Sequence, residues 1–144
     1  MTEFNKVFLD TAPLIYFLDN DIQFCGKMRE ILEFILNSGK KLITSSVTCE
    51  EYLVYPYRTA NQEKADVFFE FTDDCHIDII PITVEIAKKA AAIRAQFPHF
   101  KGMDAMQLAA AITAGCDMFL TNDKQLRQFS EIKCITVEEW DFLV

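Results

Sequence analysis

The run Val7-Phe8-Leu9 is bulky and carries nothing polar, yet it stops at Asp10, and a second apolar stretch opens one residue later at Ala12. A strand with one wet face alternates polar and apolar residues. This one does not, so it is predicted to be buried on both faces, as a strand inside a parallel sheet is. A charge has no place inside such a strand but can stand at its exit, where Thr11 and Pro13 supply helix-start chemistry for Leu14 to Leu18.

The same unit recurs along the chain. "KLITSS" gives a second strand over Lys41 to Thr44, "HIDIIPI" a third, "DMFLTND" a fourth and "IKCITVEEW" a last one, with Phe4 to Leu9 as the first. Between them lie stretches with helical spacing. Phe24, Met28, Ile31, Leu32, Ile35 and Leu36 recur at i, i+3 and i+4, and Gly39 closes that helix. Ser46 or Thr48 is expected to cap "CEEYLVYPYR", which Pro56 should end. "NQEKADVFFEFTDD", "TVEIAKKAAAIRAQF" before Pro98, "GMDAMQLAAAITAGC" and the short "KQLRQFS" complete the helices. Short apolar strands separated by helices imply an α/β fold, a mostly parallel sheet with helices on both faces. Ligands in such folds bind outside the carboxyl ends of the strands, near the point where strand order reverses.

With 144 residues, 51% apolar, thirteen Phe and only four Gly and four Pro, the chain is expected to fold as one domain over 1–144. Five scattered cysteines without a CxxC pair, no charged-then-apolar leader before Asp10, and no stretch of about 20 apolar residues suggest a reduced, cytoplasmic protein away from membranes. A net charge of −8 argues against broad electrostatic binding of nucleic acid. Acidic proteins still act on phosphodiesters where divalent metals invert the charge of the site. The acid surplus also suits a basic partner.

Acids from four segments share one sheet edge. Asp10 and Asp123 follow the first and fourth strands directly, and Glu50 and Glu51 lie about one helical turn after the second. The helix from Gly102 to Gly115 joins the fourth strand by a connection too short to cross the sheet. It therefore runs antiparallel to that strand, and Asp104 lies at the same edge. Singly, Asp104 and Asp123 read as helix N-caps and Glu50 and Glu51 as first-turn acids favoured by the helix dipole. Together they crowd negative charge that Ser, Thr or Asn would have avoided, and a divalent cation removes that cost. Carboxylates with room for water suit Mg²⁺ or Mn²⁺, whereas His76 and His99 have no ligand-like spacing for zinc.

"FLDTAPLIYFL", "ITSSVTCEEYL", "MDAMQLAAA" and "FLTNDKQL", in this order and spacing, resemble the PIN domain, especially the single-domain VapC-type toxin ribonucleases. The resemblance covers nearly the whole chain. It implies a PIN-like α/β/α sandwich, a Mg²⁺- or Mn²⁺-dependent endoribonuclease, usually a homodimer, and inhibition by a cognate antitoxin. The family's acids match Asp10, Glu51 rather than Glu50 because Thr48 precedes it by three, Asp104, and Asp123 with Thr121 and Asn122 in support. Ala12 stands where many relatives have a small polar residue.

The expected reaction is hydrolysis of RNA by metal-activated water. Asp10, Asp104 and Asp123 hold the metal directly or through water, and Glu51 is a ligand or water orienter. Lys101, Lys124 or Arg127 would guide the RNA backbone unless they are simply solvated helix-end cations. The alternative is a degenerate PIN-like module that binds RNA or protein without cleaving. A receiver-type phosphoacceptor would need paired acids after the first strand, and a haloacid-dehalogenase phosphatase an Asp where Ala12 stands. Phe68, Phe69 and Phe71 cannot all face inward from one helix, so one of them is expected at a dimer surface or under a loop.

Overall fold

The computed structural model describes residues 3–142. Strands β1 (Lys6–Leu9), β2 (Lys41–Ser45), β3 (Asp78–Ile80), β4 (Met118–Thr121) and β5 (Lys133–Thr136) form one sheet in the order β3-β2-β1-β4-β5. Every neighbouring pair is parallel, so the sheet expected to be mostly parallel is wholly so. Helices α1 (Thr11–Leu18), α2 (Cys25–Asn37), α3 (Ser46–Arg58), α4 (Gln62–Asp74), α5 (Val84–Gln96) and α6 (Gly102–Thr113) flank it, with short 3-10 helices at Lys124–Gln128 and Glu138–Phe142.

The uninterrupted apolar strands are explained by two cores, one on each face. Val7, Leu9, Met118 and Leu120 pack with Leu14, Ile31, Ile35, Phe68 and Trp140. Phe8, Ile43 and Phe119 pack with Ile86, Ile93, Leu108 and Ala109 on the other face. Phe8 and Phe119 stack with centroids 5.2 Å apart and rings 2° from parallel. On α6, Ala105, Ala109, Ala110 and Ala111 are wholly buried. Their small side chains let this helix lie close against its neighbours, which brings its first turn to the sheet edge.

Several element boundaries differ from expectation. The cap of α3 is Ser45, not Ser46 or Thr48: the Ser45 side chain accepts Val47 N. Three hydroxyl residues compete locally, and pairing of Ser45 with Ile80 ends β2 there and so selects the first. Pro56 does not end α3. It lies buried in the last turn, and the helix continues to Arg58 before Ala60 takes a left-handed φ of 50°. The lost Pro56 N–H leaves one helical bond unmade, while the Pro56 carbonyl accepts Asn61 N at 2.8 Å. The first strand begins at Lys6 rather than Phe4, and the last ends at Thr136 rather than running on to Trp140.

Candidate active site

The order in which strands are added reverses at β1: β2 and β3 lie on one side of it, β4 and β5 on the other. At the carboxyl edge of β1 and β4 the pairing of Leu9 with Leu120 sets Asp10 beside Thr121. Asp10 N donates to the Leu120 carbonyl at 3.0 Å, which continues the ladder one residue past the strand. Thr121 donates its hydroxyl to Asp10 Oδ2 at 2.8 Å. Thr11 N donates to Oδ1 at 2.9 Å, so Asp10 also caps α1.

A cavity of about 410 Å³ opens at this switch point. Asp10, Glu51, Asp104 and Asp123 all line it, with Thr11, Thr121 and Asn122 between them and Ala12 and Ile15 as its apolar part. Ala12 thus faces the cavity and supplies it with no polar side-chain group. A larger depression, about 670 Å³ between Phe69 and Asp78, holds His76, Glu70 and Asp73 but none of the four acids. The chemistry, not the size, distinguishes the smaller one.

Each acid arrives by a local cause. Capping by Ser45 sets the phase of α3, and Thr48 and Glu51, three apart, share one face of the helix, Glu51 reaching the cavity while Thr48 is buried behind its wall. Glu51 Oε1 accepts the Thr11 hydroxyl at 2.7 Å. Glu50 is exposed and does not line the cavity. Neither Glu stands in the first turn of α3, so the dipole explanation of these residues fails. Asp104 does stand in the first turn of α6, but the N-cap is Lys101, so Asp104 is not a cap. Asp123 does cap, accepting Gln125 N at 2.9 Å at the start of the 3-10 helix, and its own N donates to Thr121 Oγ1 at 3.1 Å.

The electrostatics follow from burial first. Burial raises the Asp10 carboxyl to about 6, against the bonds from Thr121 and Thr11 and with repulsion from Asp104 and Glu51 added. Asp104 is likewise raised, by burial first, then by Asp123 and Glu51, with Lys101 opposing. No basic side chain lines the cavity. Among the described residues, no three Asp, Glu, His or Cys side chains are gathered tightly enough to hold a metal ion. The four acids therefore repel one another across a shared space rather than closing on one point.

Of the cations expected to guide a substrate, Lys101 acts on Asp104, Lys124 is exposed, and Arg127 is committed to Glu139 at 2.7 Å. His99 is exposed with its Nε2 3.0 Å from Gln128 Oε1, and His76 lies in the other depression. Phe68 and Phe71 are buried, while Phe69 is 46% exposed.

Sequence reasoning missed a buried polar layer beneath the acids. Thr44 Oγ1 lies 2.8 Å from the Leu9 carbonyl and 2.9 Å from Thr48 Oγ1, and Thr48 Oγ1 lies 3.1 Å from Thr11 Oγ1. Gln107 on α6 meets Thr48, Thr11, Asp10 and Ser45. The available signal was one polar residue between Ala105 and Ala111, three after Asp104 and so on the same helix face.

The PIN domain family model matches residues 7–132. No curated protein matches the sequence. Among solved structures, VapBC2 from Rickettsia felis bound to a DNA fragment from its promoter superposes with a TM-score of 0.73 at 15% identity, covering 91% of this chain and 98% of that one. The DNA-bound VapBC from Salmonella typhimurium gives 0.72 at 20% identity, covering 92% and 98%. VapC20 from Mycobacterium tuberculosis, a sarcin-ricin loop cleaving toxin, gives 0.64 at 16% identity, covering 88% and 98%. At these identities the likeness is one of fold.

Proposed function

Because this chain belongs to the PIN domain family, we propose that it is a Mg²⁺- or Mn²⁺-dependent endoribonuclease, one domain over residues 1–144, and the toxin of a type II toxin-antitoxin pair in the cytoplasm. The observation that carries the reading is the cavity at the switch point: four carboxylates, polar groups between them and no base among the lining side chains. Carboxylate oxygens supplemented by Thr and Asn oxygens are the donor set of a hard divalent cation, and Mg²⁺ keeps several waters that bridge to acids not gathered at one point. Asp10, Asp104 and Asp123 would hold it directly or through water, with Glu51 as ligand or water orienter. When bound, the metal supplies an acidified water and offsets charge developing on the phosphate.

The protein's own part is positional. Thr121 and Thr11 N fix the two oxygens of Asp10, and Thr11 fixes one oxygen of Glu51. Gln125 N occupies one oxygen of Asp123 and leaves the other available. A basic antitoxin would block the site by setting an Arg or Lys beside Asp10 and Asp104, where a guanidinium can pair with the carboxylates bidentately. A homodimer is part of the same reading. The second reading is a PIN-like module that binds without cleaving, since among the described residues the acids line a shared cavity without closing into a tight three-ligand cluster.

The two separate on structured RNA incubated with the protein in chelator, in Mg²⁺ and in Mn²⁺. Metal-dependent cleavage by the parent, abolished in Asp10→Asn, supports the nuclease. Metal uptake without cleavage, or no uptake, sinks it.

A further inference from the structure

Gln107 is 1% exposed and contributes nothing to the cavity wall, yet it touches the ends of β1 and β2 and the first turns of α1 and α3. Its side-chain carbonyl accepts the Ser45 hydroxyl. Ser45 Oγ in turn accepts Val47 N at 3.1 Å, so the Ser45 proton is free to be given to Gln107. That fixes which way the amide faces. Both N–H protons then point at oxygens: Thr48 Oγ1 at 2.7 Å, and Thr11 Oγ1 and Asp10 Oδ1, each at 3.3 Å.

The direction of the amide sets the direction of the hydroxyls. Thr48 accepts from Gln107 and from Thr44, so its single proton goes to Thr11. Thr11 gives its proton to Glu51, since a carboxylate only accepts. Among uncharged side chains of this size, an amide is the group with one acceptor and two donors in the needed places. Leu has none of these, and Glu has no donor.

We infer that Gln107 is a positioning residue of the proposed nuclease, orienting Asp10 directly and Glu51 through Thr48 and Thr11; the inference rests on that nuclease reading. It binds neither substrate nor metal. It ties the helix that carries Asp104 to the two other acids, so that three chain segments keep one relative placement.

The test uses Gln107→Leu, Thr48→Val and the double variant, with Mn²⁺ as the probe, bound metal read from the loss of the free-ion EPR signal, and RNA cleavage followed at saturating Mn²⁺. Groups that orient metal ligands typically cost about 10- to 100-fold in metal affinity or activity when removed. Gln107→Leu should weaken Mn²⁺ and lower kcat by such a factor while the KM for RNA stays put, because neither residue faces the cavity. The double variant should be no worse than Gln107→Leu, because both changes cut one chain. Parent-like Mn²⁺ affinity and kcat in folded Gln107→Leu, or effects that multiply in the double variant, overturn the inference. If Gln107→Leu does not fold, parent-like values in Thr48→Val overturn it instead. A parent protein that takes up no Mn²⁺ overturns the nuclease reading itself, and this inference with it.

Discussion

An acid that stays buried at the end of a strand costs stability whenever it is ionised, and Asp10 is such an acid. Its carboxyl stands at about 6 against a normal 3.8, chiefly through burial. A raised folded-state value means that the folded protein binds the proton more tightly than the unfolded chain does, so between pH 6 and 4 stability rises as pH falls. Two units correspond to about 3 kcal/mol. Urea unfolding in chelator should therefore show the parent gaining up to about that much relative to Asp10→Asn between pH 7.5 and 4. A difference between the two proteins that does not change with pH would refute the assignment. Metal binding should run the other way, weakening below pH 6 because a ligating carboxylate must be ionised.

Asp104 separates charge repulsion from helix support. It is no cap, so Asp104→Asn forfeits only a favourable charge near the helix N-terminus, about 0.3–1 kcal/mol, and relieves repulsion from Asp123 and Glu51. The metal-free variant should melt at the parent temperature or above it. The parent should gain about 2.7 kcal/mol at a hundred times the Mg²⁺ dissociation constant, the variant much less, and the variant should not cleave RNA. Normal cleavage with a full Mg²⁺ shift would remove Asp104 from the site. Asp10 and Asp123 could be picked out because each follows an apolar strand, Asp104 because its helix runs back to the same edge, and Glu51 over Glu50 only through the resemblance to the family. Gln107 could not. A lone amide in a helix says nothing of its partners until α6 is placed across β1 and β2.

At the scale of elements, the helix that follows Ala60 depends on its own cap. Asn61 accepts Lys64 N at 3.0 Å at the start of α4, an element that contributes no residue to the cavity. Asn61→Ala should cost about 1 kcal/mol and lower Tm by about 2–4 °C, with cleavage per folded molecule unchanged. Calorimetry beside an RNA assay checks both halves. The strands and helices themselves could be read from period and apolar content, since those patterns report burial directly. Their ends could not. Ser45 rather than Ser46 or Thr48 caps α3 because pairing with β3 decides where β2 stops, and Pro56 sits inside α3 because its ring is buried there. Both outcomes are set by neighbours distant in sequence.

For the molecule as a whole, the strand order places β1 between β2 and β4, so the first strand needs partners from both halves of the chain. The arrangement was predictable in kind, because alternating strands and helices admit few parallel topologies. Which strand lies in the middle is settled by pairing, here Val7 with both Leu42 and Met118. The bond from Thr121 to Asp10 spans 111 residues. On a ribosome this sets a timetable. While β1, β2 and β3 have emerged and β4 has not, β1 presents an open sheet edge, and Asp10 lacks both its hydroxyl partner and the Asp123 that shares its cavity. A growing chain in that state holds no complete set of acids. In a nuclease, competence would then arrive in one step, once the chain through Asp123 has emerged and β4 has closed on β1, within reach of the RNA of the ribosome that made it.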